Sequence, residues 1–380
     1  MNAFKLMVWL AKGDKEWSEI PAEEQMMFLH TLQQPTTDIQ RSFAQYKCQN
    51  FFRSKLKVLF QELLSAFFFP VALAYYLLKS LKEVNSNIHV DAVGEFKGML
   101  EIVPESIDKK YKINNELWNT GASIVLKDLG FICSILFRHP LRPYFALKCL
   151  GKIAIYSFFI RHYTPRAIIV HAEYTFTCSV LTLYCERHNV IHINVMHGEK
   201  LIYIGWSFFR FSECYVWSEH YRSLLIDMGA EISQFKIEVP PGLKIDVTTN
   251  FKKQYYADYK YYLQVYTEDQ LKSIIDSLAF VESRGKTIKF RPHPRFSDVA
   301  LLEKYVGKEK IEYPKDVNIM SSVASCKCAI GYCSTVLYQA YLCGKVVILD
   351  DMTYKNGYAQ LKNHRYILSN SDIPTLSKQI

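Results

Sequence analysis

The 380-residue chain has no G-x-G-x-x-G fingerprint and no Walker loop, which argues against a dinucleotide dehydrogenase and a P-loop NTPase. Its ten cysteines include no C-x-x-C pair and no matching His spacing, so they are expected as buried, reduced thiols. No apolar run reaches the roughly 20 residues that span a bilayer. The longest, Ala66 to Leu78, contains Pro70, stops at Lys79 and reads as a buried helix. The first fifteen residues carry Lys5, Trp9, Lys12 and Asp14 and lack the basic start, long apolar centre and cleavage site of a secretory signal, so a cytoplasmic location is expected. There is no internal repeat, no low-complexity tract and no nucleic-acid-binding signature, and no nucleic acid partner is expected. From Leu129 to Ala172 there is not one Asp or Glu.

What is present is a packing-rich chain. Apolar residues make up 49% and aromatic residues 14%, enough to exclude disorder, and the length suits two domains of about 150 to 200 residues with a cleft between them. The net charge of +9 is unevenly placed. In the acid-free stretch Arg138, Arg142, Lys148, Lys152, Arg161 and Arg166 alternate with aromatic and aliphatic residues such as Phe131, Leu141, Phe145 and Phe159. Such a pattern suits either an anionic membrane surface, with the protein peripheral on the inner face of the plasma membrane, or two amphipathic helices with a solvated basic face.

The chain reads as helical to about Asn85, with a strand at Met99–Val103. From Arg166 a strand, loop, helix grammar takes over: strands are expected at Ala167–Val170, Val190–Met196 and Glu213–Trp217, the last followed by a helix that Gly229 stops. Pro240-Pro241-Gly242 is the strongest punctuation, and Asn250–Lys253 reads as a linker behind it. The grammar resumes with strands at Tyr261–Val265, Thr287–Phe290, Cys328–Gly331 and Lys345–Leu349. The expected fold is therefore α/β, two Rossmann-like domains with a helical N-terminal extension. Residues 1–245, Rossmann-like from about residue 86, make an acceptor-side domain, and 246–380 a nucleotide-binding one.

In open parallel sheets ligands gather beyond the carboxyl ends of strands. Arg291-Pro292-His293-Pro294-Arg295 follows a strand, and its prolines stiffen a loop that presents two guanidiniums and an imidazole suited to a phosphate. Ser334-Thr335 stands where a strand gives way to a helix, placing hydroxyls at the positive end of a helix dipole, although both are also ordinary cap residues. Glu173 could serve as general base and His197, followed by Gly198, could face the same ligand; either could equally be a structural hydrogen-bonding residue. Asp350-Asp351 could bind a metal, but a turn cap is the commoner role, and no metal or resident cofactor is expected.

At these residues the chain resembles bacterial glycosyltransferases of the two-Rossmann-domain (GT-B) type that use CMP-activated acidic sugars: sialyltransferases, polysialyltransferases and Kdo transferases. The likeness runs from about Arg166 to Asp351. It implies that His293-Pro294 and Ser334-Thr335 bind CMP, and that an acidic residue, Glu173, serves an acceptor in capsule or lipopolysaccharide synthesis. The Asp/Glu-Asp/Glu-Gly motif of many bacterial sialyltransferases is not evident in the chain. The His197-Gly198 pair and the Arg291–Arg295 loop also look like the CDP-glycerol polymerases of teichoic acid synthesis. The implied partners are a nucleotide sugar and a glycan or glycolipid acceptor. A non-catalytic, membrane-associated assembly protein that has kept the fold is the reading of another class.

Overall fold

The computed structural model of the chain describes residues 14–15, 19–83, 88–96, 100–118, 120–244, 255–370 and 372–379. The chain divides into two compact units, Met1–His197 with Ile202–Val239, and Gly198–Leu201 with Pro240–Ile380. Each unit is built on one parallel sheet whose successive strands are joined through helices, the α/β, Rossmann-like plan that the alternating grammar predicts.

The first unit holds β1 (Ala92–Gly94), β2 (Ile113–Asn114), β3 (Ala167–Val170), β4 (Ile191–Val195), β5 (Glu213–Val216) and β6 (Phe235–Ile237), in the order β2-β1-β3-β4-β5-β6. All pairings are parallel, with Ala167 opposite Ile191 and Ile193 opposite Glu213. β3 is buried at all four positions, as a strand covered on both faces must be. Ala92, Ala167, Ile169, Ile193 and Val195 form a cluster with Phe96 and Ile107. After the helix Glu219–Asp227, Gly229 turns the chain at φ 84° and its N–H bonds Ile226 O at 2.8 Å, the stop expected from its position.

The second unit holds β7 (Ala257–Tyr262), β8 (Ile288–Arg291), β9 (Cys326–Gly331) and β10 (Val346–Leu349), in the order β10-β9-β7-β8. The helix Glu268–Ser277 starts on a Thr267/Gln270 capping box and buries Leu271 and Ile274 against Phe290, Ile330 and Ile348. Full burial of each such aliphatic side chain is worth about 1.5–3 kcal/mol.

The sequence reading needs correction in several places. Leu100–Ile102 is a single 3-10 turn, not the middle of a strand. The apolar period is ambiguous over so short a run, and Pro104 leads directly into the helix Glu105–Lys110, beneath which Val103 is buried. The strand lies earlier, at Ala92–Gly94, and β7 begins at Ala257 instead of Tyr261. The linker expected at 250–253 lies outside the described residues.

The helical extension comprises Ala22–Thr31, Asp38–Asn50 and Lys55–Ser80. The last contains the Ala66–Leu78 run but is not a buried helix: only Lys57, Gln61, Glu62, Ser65 and Phe69 are buried among its 26 residues. The acid-free stretch forms the helices Leu126–Arg138 and Pro143–Tyr163, whose Phe131, Phe145, Ile153, Tyr156 and Phe159 are core residues. Most of its aromatic content thus packs inward; Arg138, Lys148, Lys152 and Arg161 lie on the two helices, while Arg142 precedes the second and Arg166 precedes β3.

Candidate functional site

In the first unit the strand order reverses between β1 and β3, so the crevice beyond their carboxyl ends is where a ligand is expected. Phe96 follows β1, His171 and Glu173 follow β3, and His197 follows β4. The His171 and His197 rings meet edge to face with centroids 4.6 Å apart, Phe96 lies 6.0 Å from His171, and Tyr174 lies 6.2 Å from His197. Glu173 is 1% exposed, and its Oε1 stands 3.8 Å from His197 Nδ1. The structure thus brings Glu173 and His197 together and adds His171. Strand-end position, the signal that singles out Glu173, applies equally to His171.

The Glu173 loop is held from outside. The Ala172 N–H donates to Asn194 Oδ1 of β4 at 2.8 Å. Gln45 Nε2 donates to the carbonyls of Glu173 at 2.9 Å and Gly205 at 3.0 Å, and Gln49 Nε2 to those of Tyr174 at 2.6 Å and Gly205 at 3.0 Å. One turn of the helix Asp38–Asn50, in the extension, therefore sets the height of the loop. Two glutamines spaced by four on an amphipathic helix carry no sequence signal for this. Below the strand ends His192 is buried, with Nε2 2.9 Å from the Tyr156 hydroxyl and Nδ1 2.8 Å from that of Thr182. Burial, reinforced by Arg210, pushes its pKa down to about 3, so it is a neutral core residue.

In the second unit the order reverses between β7 and β9, and Gly331-Tyr332-Cys333-Ser334-Thr335 leaves β9 at that point. At Gly331 a Cβ would sit 3.1 Å from the Tyr262 carbonyl oxygen, so a side chain there would need the neighbouring backbone to shift slightly. Ser334 caps the helix Thr335–Leu342, its hydroxyl accepting from Val336 N at 3.3 Å, and both Ser334 and Thr335 stay partly exposed. Tyr332 stacks on Tyr354, centroids 4.5 Å apart, beside the turn.

The other expected motif leaves β8, on the opposite side of β7 from β9. Here Arg291 departs from expectation. It is buried, with Nη1 on Glu312 Oε1 at 2.8 Å and Nη2 on the Val317 carbonyl at 2.9 Å, so its guanidinium is turned into the core and not toward a phosphate. The fully buried Lys260 shares the same carboxylate and also donates to Ser325 Oγ at 2.7 Å and the Ser322 carbonyl at 3.0 Å. The physical reason is hydrogen-bond satisfaction: the buried Glu312 carboxylate accepts from Lys260, Arg291 and Ser322 Oγ, and Arg291 also satisfies the Val317 carbonyl.

Beyond Arg291, Pro292 is still buried and His293 half-buried, and exposure begins at Pro294. His293 N–H donates to Ser297 Oγ at 2.8 Å, and Ser297 Oγ donates to the Gln264 carbonyl at 2.8 Å, tying the loop to the end of β7. His293 Nδ1 accepts the Arg295 N–H at 3.1 Å, which fixes the ring proton on Nε2, and the ring stacks on Phe296 with centroids 4.5 Å apart. Burial, followed by the Arg295 charge, pulls its pKa below the usual imidazole value. Pro294 and Arg295 are exposed at the tip.

Asp350 is buried and accepts from Tyr261 Oη, Met352 N at 3.0 Å and Thr353 N at 2.9 Å, so it closes a turn; Asp351 accepts from Ser377 N at 2.9 Å. No group of three or more His, Cys, Asp or Glu suited to a metal occurs among the described residues.

No family model and no curated protein matches the chain. Among solved structures it is similar to UDP-N-acetylglucosamine 2-epimerase from Rickettsia bellii, at 15% identity and TM-score 0.38 over 69% of this chain and 78% of that one. The glycosyltransferase SnogD from Streptomyces nogalater aligns at 10% identity and TM-score 0.40 over 77% and 98% of the two chains. The wall teichoic acid polymerase TagF aligns at 11% and 0.38 over 78% and 79%. These likenesses are loose.

Proposed function

We propose that the protein is a GT-B-type glycosyltransferase that moves an acidic 2-keto sugar from a CMP-activated donor to a surface-glycan acceptor. The observation that carries this is the placement of the His293 loop and the Ser334 turn at the ends of the two strands flanking β7, with the strand order reversing beside one of them. Two strand spacings separate those ends by about 10 Å, which leaves room for one phosphate with a charge-assisted contact of about 2.8 Å on either side.

In this reading His293 Nε2–H, Ser334, Thr335 and Arg295 hold the donor phosphate, with Pro294 stiffening the tip. The depressed pKa makes His293 a neutral hydrogen-bond donor to the departing phosphate oxygen, so CMP leaves without taking a proton from it. Arg291 fixes the loop's base and does not touch the donor. In the first unit Glu173 is the candidate base for an acceptor hydroxyl, with His197 and His171 beside it to orient the carboxylate. A monophosphate carries less charge than a diphosphate, so fixed donors suffice without a metal ion.

Incubation with CMP-sialic acid, CMP-Kdo, CDP-glycerol and UDP-sugars, in the presence of a chelator, tests the reading through the free nucleotide released, CMP from the first three and UDP from the last. The expected result is release from one CMP-sugar, reduced about 10²- to 10³-fold by His293→Ala. Turnover of CDP-glycerol alone would transfer the reading to glycerophosphate polymer synthesis. If no nucleotide binds, the non-catalytic assembly role replaces it.

A further inference from the structure

The helix Lys55–Ser80 carries an apolar stripe along its whole length. Leu56, Leu59, Leu63, Phe67, Val71 and Leu78 recur at helical spacing, each more than half exposed, and Leu81 continues the row at 80%. Between Lys55 and Lys82 no exposed residue of this segment is charged. The helix is about 39 Å long at 1.5 Å per residue, and so uninterrupted an outward row far exceeds the scattered apolar side chains of an ordinary surface.

The opposite face cannot leave the protein. Lys57 Nζ pairs with Asp14 Oδ1 at 3.0 Å, Gln61 Oε1 accepts from Arg53 at 3.0 Å, and Glu62 accepts from Tyr46 Oη and from the Tyr144 N–H at 2.8 Å. By length and composition the helix could cross a bilayer, yet these anchored polar groups leave only one face for lipid.

We infer that this helix lies in the plane of an anionic membrane surface, its outer face inserted among the acyl chains and the protein held on the bilayer by one side. Charge complementarity selects this occupant. Exposed cations border both ends: Lys55 and Arg142 at the first, Lys82 and Lys127 at the second. Arg142 is tied to the helix by its 3.8 Å approach to Glu62, and Lys127 lines a groove with Leu77, Leu78, Leu81 and the 76%-exposed Leu126. The acids nearby are each paired or buried: Asp14, exposed at the first end, holds Lys57 at 3.0 Å, Glu83 holds Arg161 and His162 at 3.1 Å, and Asp128 is buried. A second copy packed antiparallel on this face would set one cationic end against the other, whereas anionic headgroups flanking an apolar interior match both.

Co-sedimentation of the full chain with vesicles tests this. Binding to vesicles with 30% phosphatidylglycerol should exceed binding to pure phosphatidylcholine at least tenfold at low salt. Leu63→Glu/Phe67→Glu should lose it at least tenfold with an unchanged circular dichroism spectrum, and Lys82→Glu/Lys127→Glu should lose the preference for anionic lipid. Leu63→Trp provides a variant that keeps the apolar face, and its fluorescence should shift to the blue and be quenched by phospholipid brominated near the glycerol end of the chain. Absence of vesicle binding, absence of quenching, or a mass by light scattering showing a dimer that Leu63→Glu/Phe67→Glu dissolves would each overturn the inference, the last in favour of self-association.

Discussion

The strand ends of the two units solve the same problem by opposite means. In the first unit the candidate chemistry is buried, with Glu173 at 1% exposure, and the loop that carries it is pinned by Gln45 and Gln49 from a helix more than a hundred residues upstream. In the second the candidate ligand groups are exposed at a loop tip, and what is buried is the foundation, the Lys260–Glu312–Arg291 cluster. A buried reactive group needs a distant clamp. An exposed one needs a rigid root, and the charges nearest it in sequence are used for rooting.

The sharpest way to break this contrast is to remove the buried carboxylate. Glu173→Gln should lower turnover by 10²- to 10⁴-fold while leaving donor affinity within about twofold, measured by CMP release and calorimetry. Equal loss from Arg295→Gln and Glu173→Gln would erase the distinction.

Next in size, Glu312→Ala should cost about 3–5 kcal/mol in urea denaturation, because two cations are left inside without their shared partner. A loss below about 1 kcal/mol would show that the cluster is not the root of the loop.

A more gradual effect, spread over several pH units, belongs to the first unit. His192 has a folded pKa of about 3 against an ordinary value of 6.5, so the unfolded chain binds more protons between those values. Its stabilising contribution is complete above pH 6.5 and declines as the pH falls toward 3, by about 1.4 kcal/mol per pH unit in the middle of that window. His192→Gln should remove that component from the acid limb of the stability profile; an unaltered slope would place the titration elsewhere.

The smallest change is expected at the exposed site. Ser334→Ala should cost about 0.5–2 kcal/mol of stability as a lost cap, and should weaken donor binding by more than the Thr335→Ala change if the hydroxyl also serves the phosphate.

Strand-end position is legible in the sequence wherever a run of β-branched residues stops at a polar one, as at Val170–His171 and at Phe290 near the end of β8. The parallel α/β plan follows from that alternation. The first unit's edge strands are not legible: Ile113–Asn114 and Phe235–Ile237 are two and three residues long, with Asn114 and Lys236 polar, and become strands only because β1 and β5 offer a ladder. The exposure of Lys55–Ser80 is hidden for a different reason. A helix apolar all round reads as core, and only the fold tells which side has no neighbour. Arg291 shows the limit for charge: sequence places it at the strand end but cannot tell that Glu312 waits inside.

The root of the second unit's loop has a mechanical meaning. Arg291 is fixed to the core at one end and Ser297 to Gln264 and His293 at the other, and the three residues between His293 and Ser297 are held in turn by the Arg295 N–H on His293 Nδ1 and the Phe296 ring on the imidazole. Such a loop is a fixed jaw and not a flap, so under the proposed function the donor phosphate would have to fit it as it stands.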